Sequence, residues 1–411
     1  MDHTKPIAFD LHDPRIIADP YPTYARMRKE QPLWWNPLAS TWVATRHADV
    51  LALLHASGAT NQRIEHLLDR LPPAERARTG PLQRLLVPRL VFTEGETHAR
   101  IKRLVMQTFV PHQIAGYAPV VDACLGRLLD GLPTDEPVDL VERLTNLLPG
   151  NIILTVLGIP LADQQQMKRW TDDVYAWIGH WPTSIVDRTE HALAAVEGLE
   201  ARLGELIDAA RRAPGPGMLS ALARAQDEGQ ILDTGELVAN ILGIVNAGQE
   251  TTTCLLANGM LRLLQCPAEM ERLRGDPALV ASAVEEMLRY DAPAQFVARK
   301  VESPIDLHGM RFEPGAVVSL GLASANRDAE AFPDPDRFDV ARTPNQHLSF
   351  GHGVHYCVGS TLARMEAVRM FTELLRRFSQ IELACRWDEL QWRPTTSFRS
   401  PLALPVVLRR L

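Results

Sequence analysis

The sequence predicts a mainly α fold: one large helical domain with small β-sheets, built around a long central helix. Three observations predict it. Most segments repeat their apolar residues at the helical period. Strand-like runs are short and sparse. One apolar helical pattern, Asp233 to about Gln265, is far longer than the rest. About 32 residues at 1.5 Å each span roughly 48 Å, enough to cross a whole domain. A helix that long and that apolar belongs at the centre. That argues for a single domain over residues 1–411, where length alone would suggest two or three.

Taken in order, Pro20 to Lys29 opens with proline and runs amphipathically. Trp42 to Thr45 is a short β-branched run beside turn residues. Thr97 to Phe109 is a basic amphipathic helix that stops at Pro111. Ala195 to Arg212 is another long helix, and the Pro/Gly cluster Ala213–Gly217 is a helix–helix loop. Asp233 with Glu236 three residues on matches a capping arrangement for the central helix, and Pro267 ends it. Ala316 to Leu320 is a second short strand. Ser360 to Phe378 is helical.

Composition narrows the function classes. With 46% hydrophobic and 23% charged residues the chain is ordinary globular protein, not a disordered tail, a coiled coil or a disulfide-stapled miniprotein. Its 43 basic and 50 acidic side chains give −7, so no global basic field draws it to nucleic acid. No secretory signal and no apolar run of about 18 residues is visible, so no membrane span is expected. The five cysteines, Cys124, Cys254, Cys266, Cys357 and Cys385, are odd in number and widely spaced, without a zinc pattern. A reducing cytoplasm fits.

Two stretches carry chemistry. The first is the middle of the central helix, Asn246-Ala247-Gly248-Gln249-Glu250-Thr251-Thr252-Thr253. Glycine costs about 1 kcal/mol in a helix interior, and the threonines add more. Gly248 lets something approach the backbone closely. The Thr251 hydroxyl can bond the carbonyl of Ala247 four residues back. Glu250 puts an ionisable group beside that weak spot. The second stretch is Phe350-Gly351-His352-Gly353-Val354-His355-Tyr356-Cys357-Val358-Gly359. Glycines surround one cysteine immediately before a helix, whose positive N-terminal end favours thiolate. Such a thiolate is either a nucleophile or a soft metal ligand. One cysteine cannot hold zinc alone, no cysteine-hydrolase signature is present, and a glycine-lined approach suits an axial ligand to haem iron.

Phe350-Gly351-x-Gly353-x-His355-x-Cys357-x-Gly359 resembles the haem-ligand loop of the cytochrome P450 family. Ala247 to Thr252 resembles its oxygen-activation segment, Glu286-Met287-Leu288-Arg289 its E-x-x-R helix, and Phe332 to Phe338 its meander. Ser324 to Asp328 and Asp19 to Pro22 look like soluble bacterial members. The resemblance runs from about residue 15 to the end, with the motifs in order.

The resemblance implies haem b (iron protoporphyrin IX) with Cys357 as the proximal thiolate. Thiolate pushes electron density through iron and favours O–O cleavage. Phe350 would pack on the macrocycle, and Gly359 of the same loop would also bind the cofactor. His98, Arg299 and His355 would hold the propionates. The family's usual arginine four residues after that first histidine is here Lys102, a point charge without the planar fork. Glu286, Arg289 and Arg337 would form a structural network holding the cysteine loop. Glu250 and Thr251 resemble the acid–alcohol pair, Thr251 holding protons by hydrogen bonding and Glu250 relaying them from solvent. Asn246, Ala247, Gln295, Phe296 and Thr396 would line the substrate pocket. Segments from about Gly58 to Val91 and from Val174 to Trp181 would form its lid. Polar Asn246, Gln295 and Thr395 suggest a substrate with hydrogen-bonding groups.

The implied activity is insertion of one oxygen atom of O2 into a small organic molecule, in bacterial secondary metabolism. Electrons would pass from NAD(P)H through ferredoxin reductase and ferredoxin. Arg100, Lys102, Arg103 and Arg364 would make the docking side basic. The rival outcomes are ring closure, C–C or C–N coupling or desaturation on the same haem, peroxide-driven turnover, and a non-catalytic haem or ligand-binding module.

Overall fold

The computed structural model describes residues 9–69, 71–178, 184–215, 217–230 and 233–410. After a single-turn helix at Pro14–Ala18, the elements that frame the site begin with α1 (Tyr21–Glu30), β1 (Leu33–Asn36), β2 (Thr41–Ala44), α2 (His47–His55), β3 (Ala59–Thr60) and α3 (Ile64–Leu68). The helical body follows: α4 (Gly95–Phe109), α5 (Ala118–Asp130), β4 (Pro137–Asp139), α6 (Leu147–Leu157), α7 (Gln164–Ile178), α8 (Ile185–Arg212), α9 (Met218–Asp227) and α10 (Thr234–Gln265). The last part holds α11 (Val280–Tyr290), β5 (Phe296–Val301), β6 (Val317–Gly321), α12 (Ser360–Arg377), β7 (Phe378–Leu383) and β8 (Pro405–Arg410).

The two strands expected from the sequence lie side by side. β2 runs parallel to β6 with Trp42 opposite Val318. They are central in a five-stranded sheet of order β1-β2-β6-β5-β3. A separate three-stranded sheet has the order β4-β8-β7. β5 pairs antiparallel with β6, Phe296 opposite Gly321, which fixes where Phe296 to Arg299 fall.

Helix α10 is the predicted central element and runs unbroken through its glycine and threonines. The Asp233 carboxylate caps it by accepting from the Glu236 amide at 2.8 Å. The Glu236 carboxylate does not close the reciprocal half of a capping box. It forms a bidentate pair with Arg100 at 2.6 and 3.0 Å. Leu237, Ile241, Leu242, Leu256, Leu261 and Leu263 are wholly buried, so the helix is the core's axis. Gly248 is explained by its neighbour: a Cβ there would come within 2.8 Å of Ile153 Cγ1 on α6. The close approach is helix packing, on a different face from the cavity described below.

The Glu286–Arg289 pair is fully buried, with contacts of 2.7 and 2.8 Å. Arg289 also donates to the carbonyls of Asn326 at 3.0 Å, Pro335 at 2.8 Å and Arg337 at 3.2 Å. Arg337 therefore contributes only its backbone. Its side chain is 64% exposed, 3.7 Å from Asp339. The guanidinium that completes the network is Arg342, which donates to Glu286 at 3.1 Å and is 11% exposed. The turn that begins at Asp334 points the Arg337 side chain outward and brings Arg342 back in, where it also bonds the carbonyls of Pro333, Asp334 and Arg337.

Removing one partner of a buried ion pair leaves the other charge uncompensated. Arg342→Ala is expected to lower unfolding stability by about 3 kcal/mol in urea titrations, and Arg337→Ala by no more than about 0.5 kcal/mol. Equal effects would contradict this reading of the network.

Candidate functional site

Cys357 lies in the loop before α12. Gly351 and Gly353 have φ of 67° and 76°, a region that favours glycine, and they fold the loop back so that the Cys357 amide bonds the Phe350 carbonyl at 3.0 Å. The side chain carries accessible surface, yet burial is the main influence on its thiol and pushes the pKa up. Opposing that burial are the amides of Gly359 and Ser360 and the charge of Arg364. Arg364 is held by Glu285 at 2.6 and 2.8 Å, with its guanidinium 4.4 Å from the Phe350 ring centroid. Burial works against the Glu285 charge, but Arg364 and His347 prevail and bring its pKa to about 2.

A second cluster gathers His98, Lys102, Arg299 and His355. His98 is buried, and its ring lies 4.4 Å from that of His355. Burial, then His355 and Lys102, lowers its pKa to about 4. His355 bonds the Glu94 carboxylate at 3.0 Å. Lys102 Nζ donates to the Val354 carbonyl at 2.5 Å, bracing the cysteine loop. Arg299 is buried and donates to Asn61 Oδ1 at 2.7 Å. Glu94 is the acid at this cluster. It accepts from the Asn61 amide at 2.7 Å and from Thr60 Oγ1 at 3.2 Å. These residues fit the expected haem. A sulfur with two amides and a guanidinium favouring its anion suits a thiolate ligand. Nearby stand two cations and two imidazoles with one carboxylate among them, an excess of donors suited to propionates.

The third component is a cavity of about 630 Å³. Asn246, Ala247, Glu250 and Thr251 face it from α10, Phe296 and Val297 from β5, Thr395 and Thr396 from the segment before β8. Thr251 Oγ1 donates to the Ala247 carbonyl at 2.8 Å, so the hydroxyl oxygen is left to accept from the cavity. Glu250 is buried between two cations. Lys168 Nζ is 3.3 Å from its Oε2, and Arg393 pairs with its Oε1. Lys168 is shared with Asp172 at 2.5 Å. Neither cation was expected, although Arg393 stands two residues before Thr395 in a stretch the sequence reading used.

Gln295 does not line the cavity. It is 2% exposed, accepts from the Tyr24 hydroxyl at 3.1 Å and donates to the Ala292 carbonyl at 2.7 Å. Its bonds to Tyr24 and Ala292 turn it away from the cavity, while Phe296, the first residue of β5, faces it. From the expected lid, Arg63, His66, Leu67 and Val91 reach the cavity, as do Tyr175 and Ala176. Val174 and Trp177 are core. Trp181 lies outside the described residues. Of the expected basic side chains, Arg100 and Arg364 are engaged by Glu236 and Glu285, and Arg103 is exposed.

The family model described as Cytochrome P450 matches residues 83–396. The chain is 35% identical to Cytochrome P450 107B1 of Saccharopolyspora erythraea, covering 96% of each sequence. It is 36% identical to Cytochrome P450 monooxygenase PikC of Streptomyces venezuelae, covering 96% of this chain and 92% of that one. The crystal structure of CalO2 superposes with a TM-score of 0.91 at 29% identity, covering 98% of this chain and 99% of that one.

Asn246 and Gln295 separate by experiment. The Asn246 amide has no hydrogen-bond partner among the described residues, so Asn246→Ala should change stability by less than about 1 kcal/mol while weakening ligand binding. Gln295→Leu should cost about 1–3 kcal/mol by stranding Tyr24, with ligand affinity retained. Chemical denaturation and ligand titration of both variants check this.

Proposed function

This chain belongs to the cytochrome P450 family, and on that premise we propose that it inserts one oxygen atom from O2 into a small organic substrate in bacterial secondary metabolism. The observation that carries the proposal is the shared cavity: Thr251 and Glu250 face the same space as the substrate-lining residues. The family implies a haem-thiolate cofactor, proposed here as haem b on Cys357 with its propionates at His98, Lys102, Arg299 and His355. When bound, that group supplies dioxygen activation.

The remaining work falls to this chain's own side chains. The Thr251 hydroxyl, committed as a donor to Ala247, accepts a hydrogen bond from the cavity and so keeps a proton donor in place. Glu250 carries protons inward, with Lys168 and Arg393 holding its carboxyl group in place. Asn246 orients the substrate, and Ala247, Phe296, Val297 and Thr396 shape the space and exclude water. Glu286, Arg289 and Arg342 hold the cysteine loop. Electrons come from NAD(P)H through ferredoxin reductase and ferredoxin. No described helix is long and apolar enough to cross a membrane, which suits soluble donors.

The first measurement is the absorption spectrum of the reduced, carbon-monoxide-bound protein. A Soret band at the family's long-wavelength position is expected, and it should be lost in Cys357→Ala. Thr251→Ala should consume electrons at a similar rate but release mostly hydrogen peroxide, with product per electron down by about tenfold. Unchanged coupling would remove Thr251 from the mechanism. Product formed under labelled O2 without incorporated label would replace oxygen insertion by coupling or desaturation.

A further inference from the structure

We infer that the ligand of this cavity is an organic acid, a mainly apolar body whose carboxylate seats on the Arg63 guanidinium. The inference rests on the proposed monooxygenase reading and names its substrate class.

The charges of the cavity are sorted unevenly. Lys168 is taken by Asp172 and Glu250, and Arg393 by Glu250. Arg63 lines the same cavity and, among the described residues, its side chain makes no ion pair and no hydrogen bond. Its guanidinium carbon lies 5.0 Å from the centroid of the Phe92 ring. Burial and then the repulsion of Arg299 bring it down to about 10, so it stays a cation at neutral pH. The other group acting on it is Tyr175, and no acid does. Asp173 also faces the cavity, but its ionisation responds to His191 and Asp172 and to neither arginine nearby.

A second guanidinium flanks Tyr175. Arg89 is 1% exposed, with its charge centre 5.2 Å from the Tyr175 ring centroid. Among the described residues no carboxylate or carbonyl accepts from its Nε, Nη1 or Nη2, and the Tyr175 phenol is the group it bonds. Its aliphatic stem lies against Gly243 of α10, one turn before Ala247. Buried charges in proteins are ordinarily paired. Here two buried guanidiniums share the influence of one phenol and of no carboxylate, and only Arg63 lines the cavity.

The planar fork of Arg63 matches a carboxylate, and the charge of Arg89 adds to its field. The rest of the wall is largely apolar, from Leu67, Val91, Ile178, Val297, Phe398 and Leu402. Such a lining accepts a hydrocarbon body but provides no second strong anion site.

The test uses the haem-loaded full chain, with dodecanoic acid and methyl dodecanoate as probes. Affinities are read by substrate-induced spectral shift and, independently, by calorimetry. The acid is expected to bind at least about tenfold more tightly than the ester. Arg63→Met should abolish that preference and Arg63→Lys should retain part of it, both variants first showing the wild-type carbon-monoxide spectrum. Equal affinities of acids and esters across the series from octanoic to hexadecanoic acid would overturn the inference. So would binding of none of them, or a preference unchanged in Arg63→Met. Absence of the long-wavelength band in the wild type would overturn the haem-thiolate reading instead, and the calorimetric acid preference is read without it.

Discussion

Much of this molecule hangs on the fully buried Glu286–Arg289 ion pair. Its two residues sit three apart on α11 and so share a face, which aims a carboxylate and a guanidinium into the same pocket. Arg289 spends its remaining donors on carbonyls of the segment that approaches the cysteine loop. Asn326, one of those carbonyl residues, receives the Leu348 amide at 2.7 Å and donates to Ser349 at 2.8 Å. Ser349 in turn donates to the Leu288 carbonyl at 2.6 Å, back on α11. The loop carrying Cys357 starts at the next residue. Glu285, beside Glu286 in sequence, turns to another face of the helix and holds Arg364 against Phe350. One helical turn thus positions the sulfur from two directions, and neither contact needs to touch it.

On the opposite side of the reaction space the same economy of charge appears in a different form. Glu250 is bound by cations from two elements far apart in sequence, Lys168 on α7 and Arg393 before β8. Those elements also supply cavity walls. The placement of the acid and the shape of the substrate space are therefore set by one group of contacts, so a ligand that moves either wall also moves the acid's counter-ions.

Much of the fold was legible because its signals are local. The span of α10, its Asp233 cap, the strands at Thr41–Ala44 and Val317–Gly321 and the glycine-bounded cysteine loop follow from periodicity, capping and turn chemistry. The site was legible where it lies on those elements, as for Asn246, Ala247 and the Thr251 bond to Ala247. It was not legible where the outcome depends on which way a side chain turns at a strand or loop. Gln295 and Phe296 are neighbours, and only the folded contacts with Tyr24 and Ala292 turn Gln295 from the cavity. Arg337 and Arg342 are both arginines of the meander, and only the folded turn selects Arg342. Lys168, Arg393, Glu94 and Arg63 come from segments that meet only in three dimensions, and no spacing in the sequence announces their encounter.

Gly248 and Ile153 carry a consequence for how the cavity can vary. Because α6 rests against the bare backbone of α10 at that point, the two positions divide one fixed volume between them. That contact acts as a rotational stop, setting the azimuth of the central helix and with it the direction in which Thr251 and Glu250 face. Residues 246 and 247 lie free of the stop and can change size to admit new ligands. Positions 248 and 153 can change only as a pair, one enlarging as the other shrinks, so divergence of specificity is channelled to the cavity face while the helix orientation is inherited unchanged.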